Sequence, residues 1–247
     1  MKLKFFTIAI FSIFHYVKSQ TTIVEYDYFF KSPVMDSPFH YTSKVFFDQK
    51  NKNYIYEVYP LTNVEEGVKE FSPGKYVKIR KDDFKYMLYS NSKDYKILDK
   101  LQENVYLLEE TMPTMVWKYS NETKNLDGQI LKKATTNFRG RNYVAWYSEN
   151  AKLSIAPWKF NNLKGTVIEV YSDDNIARWK LKSKTDSKKS VTDPFVGYTE
   201  KIYPYTDYTK LAYELSPALK EALSKNPNKK IFEQPRTNLE TKFEWEK

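Results

Sequence analysis

A chain of 247 residues with 40 basic and 31 acidic side chains, 17% aromatic residues and no cysteine excludes a disulfide-stapled scaffold and a chain too polar to build a core. The formal charge of +9 bears on solubility and on attraction to anionic partners, not on fold. Six glycines against 21 tyrosines and 16 phenylalanines point to sheet, because aromatic and β-branched side chains fit a pleated surface.

The opening segment, MKLKFFTIAIFSIFHYVKSQ, sets Lys2 and Lys4 ahead of an apolar run from Phe5 to Val17. A basic flank, an apolar run too short to span a bilayer comfortably and a polar switch at Lys18 form a secretory signal pattern. Cleavage is expected after Ser19 or Gln20, which makes residues 1–19 the signal peptide and leaves a single domain over 20–247. Loss of Lys2, Lys4 and Lys18 lowers the charge to about +6. The expected location is periplasmic or secreted. No Cys follows the apolar run to carry a lipid anchor, and no later run has transmembrane length.

Beyond the signal the pattern has period two. Val24, Tyr26, Tyr28 and Phe30 share one face of a first strand. Further short strands are expected over 53–59, 84–90, 105–108, 115–119, 129–136, 142–147, 166–171 and 176–181, most bounded by Asn, Asp, Gly, Ser or Lys clusters. This spacing predicts a mainly β fold, an antiparallel curved sheet or half-open barrel. Residues 182–193, KSKTDSKKSVTD, read as a long polar loop.

The period changes between Asp207 and Lys225. Leu211 and Leu215 stand four apart, as do Leu219 and Leu223, and Ser216-Pro217 pairs an N-cap with a first-turn proline. A short helical segment near the C-terminus follows, two short helices or one jointed near Ser216, stopped by Asn226-Pro227. Residues Lys242 to Glu246, KFEWE, alternate charge and ring and read as a last edge strand.

Chemistry is sparse. His40 is the only histidine beyond the signal; with no cysteine a zinc site is not expected, and no G-x-S-x-G context supports a Ser-His-Asp triad. Gly-rich phosphate loops are absent. No catalytic residue, metal or cofactor is therefore expected. Glu109-Glu110 and Asp173-Asp174 are adjacent carboxylates, but neighbours on a strand point to opposite faces, and both pairs read as solvated turns. Asn121-Glu122-Thr123 fits a glycosylation sequon.

The stretch FRGRNYVAWYS, Phe138 to Ser148, half matches the signature of an RNA-binding strand, but Arg141 stands where the first stacking aromatic belongs. No nucleic-acid partner is expected. The bland reading is a half-buried strand entered through a glycine turn, with Trp146 in the core and Arg139 and Arg141 paired to carboxylates at the surface.

The block from Trp117 to Asp174 carries Trp117, Glu122-Thr123-Lys124, Gly128, Lys133-Ala134, Phe138, Gly140-Arg141, Ala145-Trp146-Tyr147, Pro157 and Lys159-Phe160. In order and spacing it resembles the GLPGLI family, exported proteins of Bacteroidota named for a hexapeptide. The hexapeptide itself is replaced by Asn162–Val167, NLKGTV, which keeps Leu163 and Gly165. Gly-Leu-Pro-Gly is turn chemistry, so Asn162 or Gly165 is expected at positive φ, launching the strand that starts at Thr166.

The resemblance implies an exported protein without an established activity. The favoured expectation is a non-enzymatic envelope binding or accessory protein, taking an envelope protein or an apolar or anionic ligand. The alternative is a secreted hydrolase whose carboxylates the fold brings together. Candidate ligand-binding or motif residues are Lys133, Arg139, Gly140, Arg141, Trp146, Pro157, Phe160, Leu163 and Gly165.

Overall fold

The structure, a computed structural model, describes residues 21–31, 38–62, 66–79, 81–215, 220–221, 224–225 and 236–246. Its strands are, in chain order, β1 Thr21–Phe30, β2 Phe39–Asp48, β3 Tyr54–Val58, β4 Gly67–Ser72, β5 Lys75–Ile79, β6 Tyr86–Ser90, β7 Asp94–Leu101 and β8 Asn104–Thr111. They continue with β9 Lys118–Leu126, β10 Gln129–Phe138, β11 Arg141–Ser148, β12 Thr166–Ser172, β13 Ala177–Ser187 and β14 Ile202–Pro204. A 3-10 turn, Tyr205–Asp207, leads into the short helix α1, Tyr208–Tyr213.

One open sheet holds 12 of these strands in the order β14-β8-β7-β6-β3-β2-β1-β13-β12-β11-β10-β9, and β4 and β5 form a separate hairpin. Its pairings are antiparallel except for β14, which runs parallel to β8. The central position belongs to β1. It pairs with β2 on one side, and on the other with β13 from Thr21↔Ser187 to Phe30↔Ala177. Two meanders from opposite ends of the sequence thus meet at the first strand. The expected class, an open antiparallel sheet with a short helix near the C-terminus, is the one found.

Period two sets the faces. On β1 it buries Val24, Tyr26 and Tyr28, and on β11 Tyr143, Ala145 and Tyr147. Bulges between Glu25 and Tyr26 and between Trp146 and Tyr147 shift the register and bend their strands locally. The larger core lies on one face, under the 149–165 loop, α1 and the 236–246 segment. Val191 and Phe195 cover part of the other face, against Tyr89 and Leu107.

Several expectations need correction. The polar 182–193 stretch is not all loop: β13 runs on to Ser187, because backbone pairing with β1 holds it as strand whatever its side chains. The strand expected over 115–119 begins only at Lys118. Trp117 ahead of it is buried, its ring N–H donating to the Asn161 carbonyl at 2.8 Å. KFEWE is not a strand; it turns at Glu244-Trp245 and buries Phe243. Strands β2, β7 and β14 and the β4–β5 hairpin were not foreseen. The signal segment, Ser216-Pro217 and Asn226-Pro227 lie outside the described residues.

Asn162 and Gly165 do have positive φ, 58° and 81°. Among the described residues no helix is long and apolar enough to cross a membrane.

Candidate functional site

Strand β7 turns Tyr95, Ile97, Asp99 and Leu101 to one face, and Asp99 is the acid in that apolar row. Across the ladder it stands opposite Tyr106 of β8. Tyr86 of β6, Tyr208 of α1, Tyr28 of β1 and Tyr41 of β2 line the same cleft, which Asn238, Leu239 and Glu240 close on one side. The cleft has a volume of about 260 Å³. Its aromatic wall is pre-stacked: the Tyr28 ring lies 4.6 Å from Trp179 and 5.7 Å from Tyr41.

Asp99 is half-buried. Desolvation pushes its carboxyl up to about 7 and Glu240 adds to the rise, while the Lys100 amide and Lys159 oppose it. Burial raises the phenols of Tyr86 and Tyr208 well above their ordinary value, and Asp99 adds to both. They remain neutral hydrogen-bonding groups at any physiological pH.

Beneath this cleft lies a buried ionic network. No part of Lys159 is exposed, and its Nζ sits 2.7 Å from Glu110 Oε2 and 3.1 Å from both oxygens of Glu240. Arg139 Nη2 lies 2.5 Å from Glu110 Oε1, in ionic contact but off the hydrogen-bond direction. Its Nη1 reaches Glu240 Oε1 at 2.5 Å, and its Nε reaches both oxygens of Glu244 at 3.1 Å. The Tyr205 hydroxyl donates to Glu240. Burial pushes the Glu240 carboxyl up, but Lys159 and Arg139 outweigh it and hold the group below its ordinary value.

Each member comes from a different element: Glu110 from β8, Arg139 from the β10–β11 turn, Lys159 from the 149–165 loop and Glu240 from the C-terminal segment. Such a cluster costs much to break, because a lost partner leaves a buried charge uncompensated.

The two arginines of FRGRNYVAWYS are buried, 8% and 6% exposed, and not surface residues as expected. The reason is the turn between them and the tail that crosses it. Arg139 and Gly140 both have positive φ, 43° and 86°, the pattern of a two-residue hairpin turn whose twist suits the strands. A Cβ on Gly140 would overlap the Thr241 side chain. The Arg139 carbonyl accepts from Thr241 N at 2.9 Å and Lys242 N at 3.1 Å. Arg141 pairs with Asp174 and donates to the carbonyls of Thr237 and Asn238. The Tyr143 hydroxyl donates to the Leu239 carbonyl at 2.9 Å. Both arginines therefore clamp the segment that walls the cleft.

Other expected residues fall elsewhere. Trp146 is not in the core but half-buried on the other face of β11, with Lys124 4.7 Å and Lys133 6.0 Å from its ring. Lys133 pairs with Glu122 at 2.9 Å. Pro157, Phe160 and Leu163 are core residues; Phe160 meets Tyr143, Trp158 and Trp179 at ring distances of 4.9, 5.1 and 5.3 Å. Gly165 is fixed by contact, since a Cβ there would overlap the Ser148 carbonyl.

None of these nine lines the cleft. Glu110, expected in a solvated turn, continues the inward row of β8 and is 7% exposed. An acid in the inward phase of a strand marks both Asp99 and Glu110 in the sequence. Glu240 carries no such sign. His40 is exposed, 3.0 Å from Asp27, and is not at the cleft. Among the described residues no three His, Cys, Asp or Glu side chains are gathered to hold a metal.

No family model matches the chain, and no curated protein does. Solved structures described as "Structure of PNGF-II in C2 space group" and "Structure of PNGF-II in P21 space group" are similar over 78% of this chain, at 12% and 13% identity and TM-scores of 0.48 and 0.47. The chain spans 33% of the length of each.

Proposed function

We propose that this is an exported, non-enzymatic binding protein of the cell envelope, a divergent GLPGLI-family member whose ligand occupies the aromatic cleft. One observation carries the reading. The cleft is a concave, ring-lined site in which one carboxylate, Asp99, has no ion-pair partner among the described residues, the usual form of a small-molecule site. The apolar part of the expected ligand suits this wall. An anionic ligand would need free cations, yet Lys133, Arg139 and Arg141 are all engaged with carboxylates.

A hydrolase is the second reading, and the specific observation in its favour is that Asp99 and Glu240 line one cleft with pKa values pushed in opposite directions. Against it, both oxygens of Glu240 already accept from Lys159, Arg139 or Tyr205. A carboxylate so engaged is a poor base or nucleophile.

The test is a thermal shift with a small-molecule extract of cell envelope. A site ligand raises the melting temperature of the wild type and leaves Val58→Trp, which fills the cleft, unchanged. Equal shifts in both proteins, or none in either, would count against the cleft. N-terminal sequencing of the protein recovered from the envelope fraction tests export; a mature chain starting at Gln20 or Thr21 is expected.

A further inference from the structure

We infer that the cleft takes a small organic cation, with its charge against the Asp99 carboxylate and its carbon frame against the surrounding phenol rings. This rests on the cleft being the ligand site.

Charge is the first ground. In the network beneath the cleft, the buried Glu110 and Glu240 are matched by Lys159 and Arg139, while the Glu244 side chain is 61% exposed and is no part of the cleft wall. That network is balanced before Asp99 is counted. Lys100, also on the wall, is matched by Asp82 at 2.9 Å. An ionised Asp99 is thus the charge on this wall with no ion-pair partner among the described residues, and it repels an anion and attracts a cation.

The rings are the second ground. Aromatic faces attract cations through their quadrupole, more strongly where water is excluded. The protein uses this contact at the same wall: Lys159 Nζ lies 3.7 Å from the Tyr205 ring centre. The half-buried Tyr41 and Tyr86 offer further rings to an incoming ligand. Size is the third ground, for about 260 Å³ is far more than the roughly 10–15 Å³ of such space that one water needs.

The groups facing Asp99 are Tyr106 across β8, Tyr86 on β6, Tyr208 on α1, its neighbour Lys100, and Glu240 and Lys159. Of these acids, Asp99 is the one brought to about 7. Cation binding is therefore expected to strengthen as pH rises through neutrality.

Choline and its carbon isostere, in which an uncharged tert-butyl group replaces trimethylammonium, separate charge from shape. Calorimetric titration at about pH 8.5 is expected to favour choline at least about tenfold. At about pH 5.5, where Asp99 is protonated, the preference should fall to about twofold or less. Asp99→Asn should abolish both the preference and its pH dependence. If that variant does not fold, the pH series on the wild type decides.

Equal binding of both probes at high pH, blocked by Val58→Trp, overturns the cation and leaves the binding cleft standing. A tenfold preference that survives in Asp99→Asn also overturns it. Binding of neither probe overturns it outright.

Discussion

Lys159 and Glu110 meet at 2.7 Å in a position where the lysine has no exposed surface and the glutamate is 7% exposed. Removing one partner of such a pair leaves the other charged and buried. Lys159→Met is expected to lower stability by about 3–5 kcal/mol, read from urea unfolding with an unchanged m-value. A loss under about 1 kcal/mol would mean that the pair behaves as if solvated.

The pH dependence of stability follows from Glu240 and Asp99, with opposite signs. Glu240 titrates lower in the folded chain than its ordinary 4.5. Its contribution is present above that value and lost as pH falls through the folded pKa. Asp99 titrates higher when folded, about 7 against 3.8. Its contribution is present below the ordinary value and lost as pH rises toward 7. Asp99→Asn should therefore match the wild type near pH 4 and exceed it near pH 8 by about 1–3 kcal/mol, less than the full shift because the cleft lets solvent in. Urea midpoints at the two pH values check this.

The hexapeptide region gives a backbone prediction. Gly165 has φ 81° and the Ser148 carbonyl where a Cβ would go, so Gly165→Ala is expected to cost about 2 kcal/mol or more. Asn162, at φ 58° and exposed, should accept Gly within about 0.5 kcal/mol and lose about 1–2 kcal/mol on change to Val. Thermal unfolding of the three variants tests the order.

Arg141→Lys keeps the charge but loses the fork that reaches the carbonyls of Thr237 and Asn238. Faster amide exchange is expected over residues 236–246, with the β10–β11 ladder unchanged. Uniform exchange changes across the sheet would contradict a local clamp.

Much of this fold is legible in residue periodicity. The inward row Val24, Tyr26, Tyr28 defines β1, and the alternation from Tyr143 to Tyr147 defines β11. What periodicity cannot carry is partnership. Nothing local marks β1 as the central strand between β2 and β13, and β13 looks like loop after Leu181 because its paired backbone is hidden behind lysines. The site was harder to read. Arg139, Gly140 and Arg141 stand out as a motif, but their partners Glu240, Thr241 and Asn238 lie about a hundred residues away in a stretch with no pattern of its own. Asp99 was visible in principle, as an acid between Ile97 and Leu101 in the inward phase of a strand. Period two alone does not mark out that strand, because Lys96 and Lys100 break up its apolar run.

Whether a ligand sits in the cleft between the sheet and this clamped tail is read directly from the mass the protein retains. Wild-type protein and Val58→Trp are each equilibrated with a small-molecule envelope extract, exchanged into volatile buffer and weighed by native mass spectrometry. A bound species of small-molecule mass is expected on the wild type and is expected to be absent from Val58→Trp. The same adduct on both proteins, or a bare chain in both, would contradict a ligand in the cleft.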